Sequence, residues 1–239
     1  MEITAADVMK LRKMTQAGMM DCKNALAEAN GDYERAVEII REKGKLVASK
    51  RADRTATEGI VVAKVVGNKA YMTCLACETD FVANTDGYAK TVNEILDIAV
   101  ANDAADKDAL LACKNAEGRT VADMVTEKSG QTGEKCELAC YERIEALFVA
   151  QYVHFNKKLG TILGFNKAVS EELAHEICMQ ATAMAPVSIS ADDCPKEVIE
   201  KEHKIGLEQA RLDGKPEAML EKIADGKVAK FLRENTLLE

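Results

Sequence analysis

The run at residues 11–26 constrains the fold of this chain most, because it places two adjacent methionines on a glycine-containing turn between two short helical patterns. The first pattern starts at Thr4, and Asp7 three residues later completes a capping box. The second pattern stops at Asn30-Gly31, and a third covers residues 32–44. Three short helices of this kind can form a small bundle.

The two methionines, Met19 and Met20, are expected on the turn rather than on an inward-facing stripe. Methionine at an exposed position suits a surface that adapts to a partner, because its side chain is flexible and polarisable. An alternative that the spacing leaves open is that one or both methionines cap the core of the bundle. The same arrangement would also suit a helical adaptor that recognises ubiquitin-like proteins.

Residues 11–26 are similar to the motif Leu-Arg-x-x-Thr-Gly-Ala-Gly-Met-Met-Asp-Cys-Lys-x-Ala-Leu of the elongation factor Ts family. They depart from it at Gln16, where glycine is usual. Further matches follow in the family's order at residues 77–83, 151–154, 214–216, 221–227 and 230–231. Members of this family are guanine-nucleotide exchange factors for elongation factor Tu. The resemblance covers nearly the whole chain and therefore implies that function here.

Charge and composition argue against several function classes. Acidic residues outnumber basic ones, 40 against 32, and a formal net charge of −8 is atypical of a nucleic-acid binder. Aromatic residues make up 4% of the chain, and without tryptophan there is no stacking platform for single strands. No apolar run approaches the ~20 residues that span a bilayer, and Met1-Glu2-Ile3 begins no signal peptide. We therefore expect a cytoplasmic protein with no nucleic-acid or membrane partner.

The middle of the chain alternates between strand and helix patterns, which indicates an α+β fold with antiparallel sheets rather than a wound parallel sheet. Two β-rich runs enclose Gly67-Asn68 and predict a hairpin. The expected elements are strands at residues 60–66 and 70–76, helices from 85, at 106–114 and at 120–128, strands at 136–144, 147–154 and 159–165, and a helix from 170 to Pro186.

From Pro195 onward the pattern is helical and charged on both sides of a turn at residues 213–216, with Pro216 expected at the first position of a helix. This pattern predicts an antiparallel helical hairpin, which resembles the projecting coiled coil of the family. The alternative is an ordinary pair of helices packed on the core. A weak duplication of hairpin and helix in the preceding residues resembles the two related core subdomains of the family.

These patterns divide the chain into expected domains. In order, they are a UBA-like three-helix bundle at residues 1–44, a polar linker at 45–58, core subdomain N at 59–139, the first part of core subdomain C at 140–185, the helical hairpin at 186–229, and a return to subdomain C at 230–239. Longer family members continue with strands that complete subdomain C, so we expect a truncated or naturally short member. An unpaired sheet edge, or the helical hairpin, could then pair two copies into a homodimer.

The segment Thr79, Asp80, Phe81 and Val82 lies between a strand pattern and a helix pattern, so an exposed connection is expected there. The spacing leaves open that Phe81 folds back beneath the following helix as an apolar staple. The resemblance implies instead that this motif wedges into the nucleotide-binding domain of elongation factor Tu. There it would disturb the magnesium and phosphate site, so that GDP leaves and GTP can bind.

The resemblance implies further contacts to the same partner. Arg12, Met19 and Met20 would provide them in the N-terminal bundle. His154 lies in a Tyr-x-His match and would be a weaker contact in subdomain C, although a satisfied core histidine is an alternative.

No catalytic residue, metal site or cofactor is expected. The sequence contains no evident nucleophile–base pair, Walker loop or dinucleotide fingerprint. The eight cysteines are expected to be reduced and mostly buried. The pair Cys74-x-x-Cys77 leaves a thiol enzyme as an alternative, and that alternative requires a thiol whose pKa is lowered.

Overall fold

The computed structural model describes residues 3–15 and 17–238, so Met1, Glu2, Gln16 and Glu239 lie outside the described residues. The structure therefore does not describe Gln16, where the sequence departs from the family motif. The chain divides into two compact units, Met1–Cys178 and Met179–Glu239.

The described residues combine helices with antiparallel sheets, so the α+β class is confirmed. In chain order the elements are α1 (Ala5–Thr15), α2 (Met19–Glu28), α3 (Tyr33–Lys50), β1 (Glu58–Val66), β2 (Lys69–Cys77), α4 (Asp80–Ala83), α5 (Asp86–Asn102), α6 (Lys107–Ala112), α7 (Val121–Thr132), β3 (Glu137–Glu145), β4 (Phe148–Val153), β5 (Gly160–Phe165), α8 (Glu171–Met184), α9 (Lys196–Leu212) and α10 (Leu220–Asn235). None of these helices combines the length and apolar character that crossing a membrane requires.

The first three helices enclose a small apolar core. Thr4 and Asp7 form the expected capping box: Asp7 N donates to Thr4 Oγ1 over 3.3 Å, and Thr4 N donates to Asp7 Oδ2 over 3.0 Å. Leu11, Leu26 and Ala36 are fully buried in the cluster that these helices form. Three packed helices are thus observed, while their likeness to a UBA bundle stays a prediction.

The third helix is longer than expected. α3 continues to Lys50, so the prediction that residues 45–50 belong to a linker is wrong. The physical reason is packing: Gly44 on α3 meets Gly130 on α7 so closely that a Cβ added at Gly130 would lie 2.2 Å from Gly44 Cα. Beside this contact, Gln131 Nε2 donates to Thr15 O over 2.6 Å. Gly44 is therefore a packing position in the first unit rather than a helix end.

β1, β2 and β3 form one antiparallel sheet in that order, and β4 and β5 form a separate two-stranded sheet. Val66 pairs with Lys69 across the expected Gly67-Asn68 turn, where Gly67 has a φ of 62°. This left-handed conformation favours glycine, which explains the hairpin signal in the sequence.

β3 pairs with β2, so the expected subdomain boundary between residues 139 and 140 falls inside a strand. The expected domain boundaries as a whole stay predictions.

The main core lies between the β1–β2–β3 sheet and the helices α5, α6 and α7. Tyr88 on α5 is fully buried, and its hydroxyl donates to Leu75 O on β2 over 3.0 Å. Ile95, Leu110 and Val121 are fully buried in the same cluster. The helix that the sequence pattern predicts from residue 85 is thus observed as α5.

In the second unit, α9 and α10 pack against each other as an antiparallel pair. A Cβ added at Gly206 would lie 3.1 Å from Ala224 Cα, and Ala210 and Leu220 are buried nearer the turn. The helix pair agrees with the predicted hairpin, while its coiled-coil character stays a prediction. Pro216 has extended backbone angles and precedes a 3-10 turn, so its expected place at the first position of an α-helix is wrong.

The contact between α3 and α7 predicts different stability effects for alanine at its two glycines. Gly130→Ala should lower the free energy of unfolding by about 1–3 kcal/mol, because the added methyl group overlaps the α3 backbone. Gly44→Ala is the matched control, because its Cβ would lie 3.5 Å from Gly130 Cα, which is ordinary contact. Urea denaturation of both variants checks this. An equal loss of unfolding free energy in the two variants would show that α3 and α7 are not packed as described.

Candidate functional site

The segment at residues 79–82 forms a braced turn between β2 and α5. Thr79 is extended and precedes α4, which is a single helical turn. Ala83 N donates to Thr79 O over 3.3 Å, and Asn84 N donates to Asp80 O over 2.9 Å. Thr85 Oγ1 then donates to Val82 O over 2.9 Å and also caps α5. The expected strand-to-helix connection is thus confirmed.

The residues of this turn have different environments. Phe81 is 84% exposed and Asp80 is also exposed, whereas Val82 packs against the main core and Ala83 is buried. The interpretation of Phe81 as an apolar staple beneath α5 is therefore wrong, because its ring lies in solvent. Val82 instead anchors the turn, and Asp80 and Phe81 are presented outward.

Two glutamates hold the base of the turn, and sequence reasoning assigned neither of them a role. Glu134 Oε2 accepts from Glu78 N over 3.1 Å and from Thr79 N over 3.0 Å, and Glu134 Oε1 accepts from Thr79 Oγ1 over 2.6 Å. Glu78 Oε1 accepts from Lys135 N over 2.7 Å. Arg51 Nη1 donates to both Glu78 oxygens, over 3.0 and 2.9 Å. We call Glu78 and Glu134 the carboxylate clamp.

The loop between β4 and β5 lies beside the turn. Val61 N on β1 donates to Lys157 O over 2.7 Å, which fastens this loop to the main sheet. Asp80 and Phe155 line one shallow depression, and Phe155 is almost fully exposed. His154 is half-buried, with its Nδ1 2.8 Å from the Tyr152 hydroxyl. The loop therefore brings Phe155, an exposed ring that the sequence reading missed, beside Asp80, whereas His154 does not line this depression.

The N-terminal candidates are exposed as well. Arg12 lies on the outer face of α1. Met19 and Met20 are 40% and 65% exposed, so neither is a buried cap of the bundle's core. Both are the first residues of α2, and the expectation that they lie on the preceding turn is wrong, because Gly18 is already the N-cap.

The thiols do not have the properties of a reactive pair. Burial raises the pKa of Cys74 to about 11, and burial also raises the pKa of Cys77. A thiol enzyme would require the opposite shift. Among the described residues, no group of histidine, cysteine or acidic side chains could hold a metal ion.

An exposed aromatic ring beside a carboxylate, on a turn that the rest of the fold braces, can make a protein contact. Comparisons with known proteins identify the family to which the chain belongs. Residues 78–239 match the family model described as Elongation factor TS. The chain therefore belongs to the elongation factor Ts family.

Three relatives show how far the similarity extends. Elongation factor Ts of Porphyromonas gingivalis is 45% identical over 239 residues, which cover 100% of this chain and 87% of that protein. Elongation factor Ts of Christiangramia forsetii is 44% identical over 241 residues, with 99% and 87% covered. Elongation factor Ts of Bacteroides thetaiotaomicron is 49% identical over 214 residues, which cover 89% of this chain and 64% of that protein.

Glu78 provides a pH test of the clamp. The hydrogen bond from the Lys135 backbone N–H, followed by Arg51, lowers the pKa of the Glu78 carboxyl, although partial burial opposes this. A carboxyl with a lowered folded-state pKa contributes stability above its unfolded pKa and loses that contribution as the pH falls through the folded-state pKa. Glu78→Gln should therefore lower the free energy of unfolding at about pH 7 and have less effect at about pH 3.

Urea denaturation at the two pH values measures this difference. Glu28→Gln, at an exposed position on α2, is the control and should change stability little at either pH. A Glu78→Gln effect of the same size at both pH values would contradict the role of the ionised carboxylate.

Proposed function

We propose that this chain binds elongation factor Tu in its GDP-bound form and promotes release of the nucleotide. Membership of the elongation factor Ts family supports this proposal. The observation that carries it is the outward presentation of Phe81, which is 84% exposed on a turn whose base is tied down.

The wedge has a simple energetic basis. Burying a side chain of this size contributes about 1.5–3 kcal/mol, and Phe81 leaves this contribution unused in the free protein. When its ring enters a partner, that free energy can favour a displaced arrangement of the partner's elements. Asp80 places a negative charge beside the ring. Magnesium is held by a well-ordered shell of oxygen ligands that includes the nucleotide phosphates. A displaced backbone disturbs that shell, and the negative charge of Asp80 repels the phosphates that complete it, so both weaken magnesium retention.

Exchange then follows from linkage. A factor that binds the nucleotide-free partner more tightly than the GDP-bound partner must weaken GDP binding by the same factor. This mechanism needs no covalent step and no cofactor. The released site can afterwards bind GTP.

Further contacts belong to the same proposal. Arg12, Met19 and Met20 present a cation and two adaptable apolar side chains on the N-terminal helices, which we propose form a UBA-like bundle. His154, which is half-buried at the start of the β4–β5 loop, would add a weaker contact, for which family resemblance is the support. The α9–α10 pair would be the projecting coiled-coil module, for which family resemblance is the support.

Phe81→Ala should lower kcat/KM for GDP release at least about tenfold, since the ring supplies the apolar contact of the wedge. Its effect on the free energy of unfolding should stay within about 0.5 kcal/mol, because the side chain is exposed. Release of fluorescently labelled GDP from elongation factor Tu measures the first effect, and urea denaturation measures the second.

Leu147→Ala is the control for loss of an exposed apolar side chain, because Leu147 is 73% exposed in the β3–β4 connection. It should exchange GDP as the unaltered chain does. Full exchange activity in Phe81→Ala would overturn the wedge.

Asp80→Ala should cause a milder loss that depends on magnesium. If Asp80 acts by weakening magnesium retention, removing free magnesium does the same, so the variant and the unaltered chain should converge at low magnesium concentration. Asp86→Ala, at an exposed carboxylate in the first turn of α5, is the control. The rate of GDP release, measured across a magnesium titration, tests this expectation. A defect of Asp80→Ala that stays the same at every magnesium concentration would contradict the proposed role of Asp80.

A further inference from the structure

The turn that carries Phe81 has little to hold it in place by itself. α4 is four residues long, and a single helical turn is unstable alone because nucleation is costly. At 84% exposure, the Phe81 ring gains little support from its own protein. The direction of the ring therefore depends on how the backbone enters and leaves the turn.

The backbone that leads into the turn, at Glu78 and Thr79, is held by a side chain from a distant part of the sequence. Glu134 follows Gly133, whose left-handed φ of 72° ends α7 and redirects the chain toward β3. From there the Glu134 carboxylate accepts two backbone N–H bonds and one hydroxyl bond from Glu78 and Thr79. A carboxylate that accepts several such bonds makes a strong, directional contact.

The clamp is reciprocal. Glu78 accepts the backbone N–H of Lys135, the residue after Glu134. Each glutamate thus bonds the backbone of the segment that carries the other. This arrangement aligns the β2–α4 turn with the α7–β3 turn, so loosening one side removes the constraint on the other.

Building on the function proposed above, we propose that Glu134 is a positioning residue for exchange, which holds α4 in the conformation that presents Phe81 before the partner arrives. A segment that is already ordered avoids the cost of ordering on binding. If loss of the carboxylate leaves the competent conformation populated about one tenth of the time, kcat/KM falls about tenfold.

Two variants test this. Glu134→Ala should lower kcat/KM for GDP release from elongation factor Tu about tenfold, and Glu134→Gln should lower it less, because the amide oxygen can still accept an N–H bond. Glu137→Gln is the matched control: its carboxylate lies 3.1 Å from Lys135 Nζ and takes no part in the clamp. It should leave exchange unchanged.

The decisive comparison is a double-mutant cycle. If Glu134 acts mainly through Phe81, Glu134→Ala should have a much smaller effect on exchange in a Phe81→Ala background, limited to the milder contribution of Asp80 on the same turn. Equal losses in both backgrounds would overturn the inference. So would an unchanged kcat/KM in Glu134→Ala, whatever the variant does to overall stability.

A measurement on the free chain separates this inference from the proposed function. Hydrogen exchange at the Ala83 and Asn84 amides, which form the bonds of α4, should be about tenfold faster in Glu134→Ala than in the unaltered chain. Unchanged protection there would overturn the positioning role even if the chain promotes GDP release. Faster hydrogen exchange together with an unaltered chain that releases no GDP would refute the proposed function and leave the clamp's effect on α4 established.

Discussion

The hydrogen bonds that Glu134 accepts from Glu78 N, Thr79 N and Thr79 Oγ1 hold the base of the turn on which the candidate site depends. They satisfy backbone donors at the entrance of a four-residue helix that could not persist on its own local bonds. Val82 packs on the core at the other side of the same turn. With both sides fixed, Phe81 can remain in water without folding back onto its own protein.

A second constraint concerns the N-terminal helices. The close approach of Gly44 and Gly130 leaves no room for a side chain at Gly130, so α3 and α7 meet backbone to backbone. Arg12, Met20 and Phe81 consequently belong to one compact unit, Met1–Cys178. A partner that contacts both the bundle and the turn would meet preformed surfaces, which reduces the ordering cost of binding.

Local patterns predicted the hairpin at Gly67-Asn68, the capping box at Thr4 and the helix from residue 85, because each depends on residues close together in sequence. The extension of α3 was missed, since Gly44 looks like a helix end unless its packing against Gly130 is known. Glu134 was missed for the same reason: its bond to Thr79 N spans 55 residues and has no periodic signal. For Phe81, the spacing left a buried staple open beside an exposed connection, and the family resemblance decided for the outward ring. Self-association and the partner contacts of Arg12, Met19, Met20 and His154 stay predictions.

The most direct test of nucleotide exchange compares two affinities. Titration calorimetry would measure the Kd of this chain for nucleotide-free elongation factor Tu and for elongation factor Tu saturated with GDP. We expect tighter binding to the nucleotide-free form, by the same factor by which the chain weakens the affinity of elongation factor Tu for GDP. Equal affinities for the two forms would contradict the proposed function, because a protein that does not distinguish them cannot shift nucleotide binding.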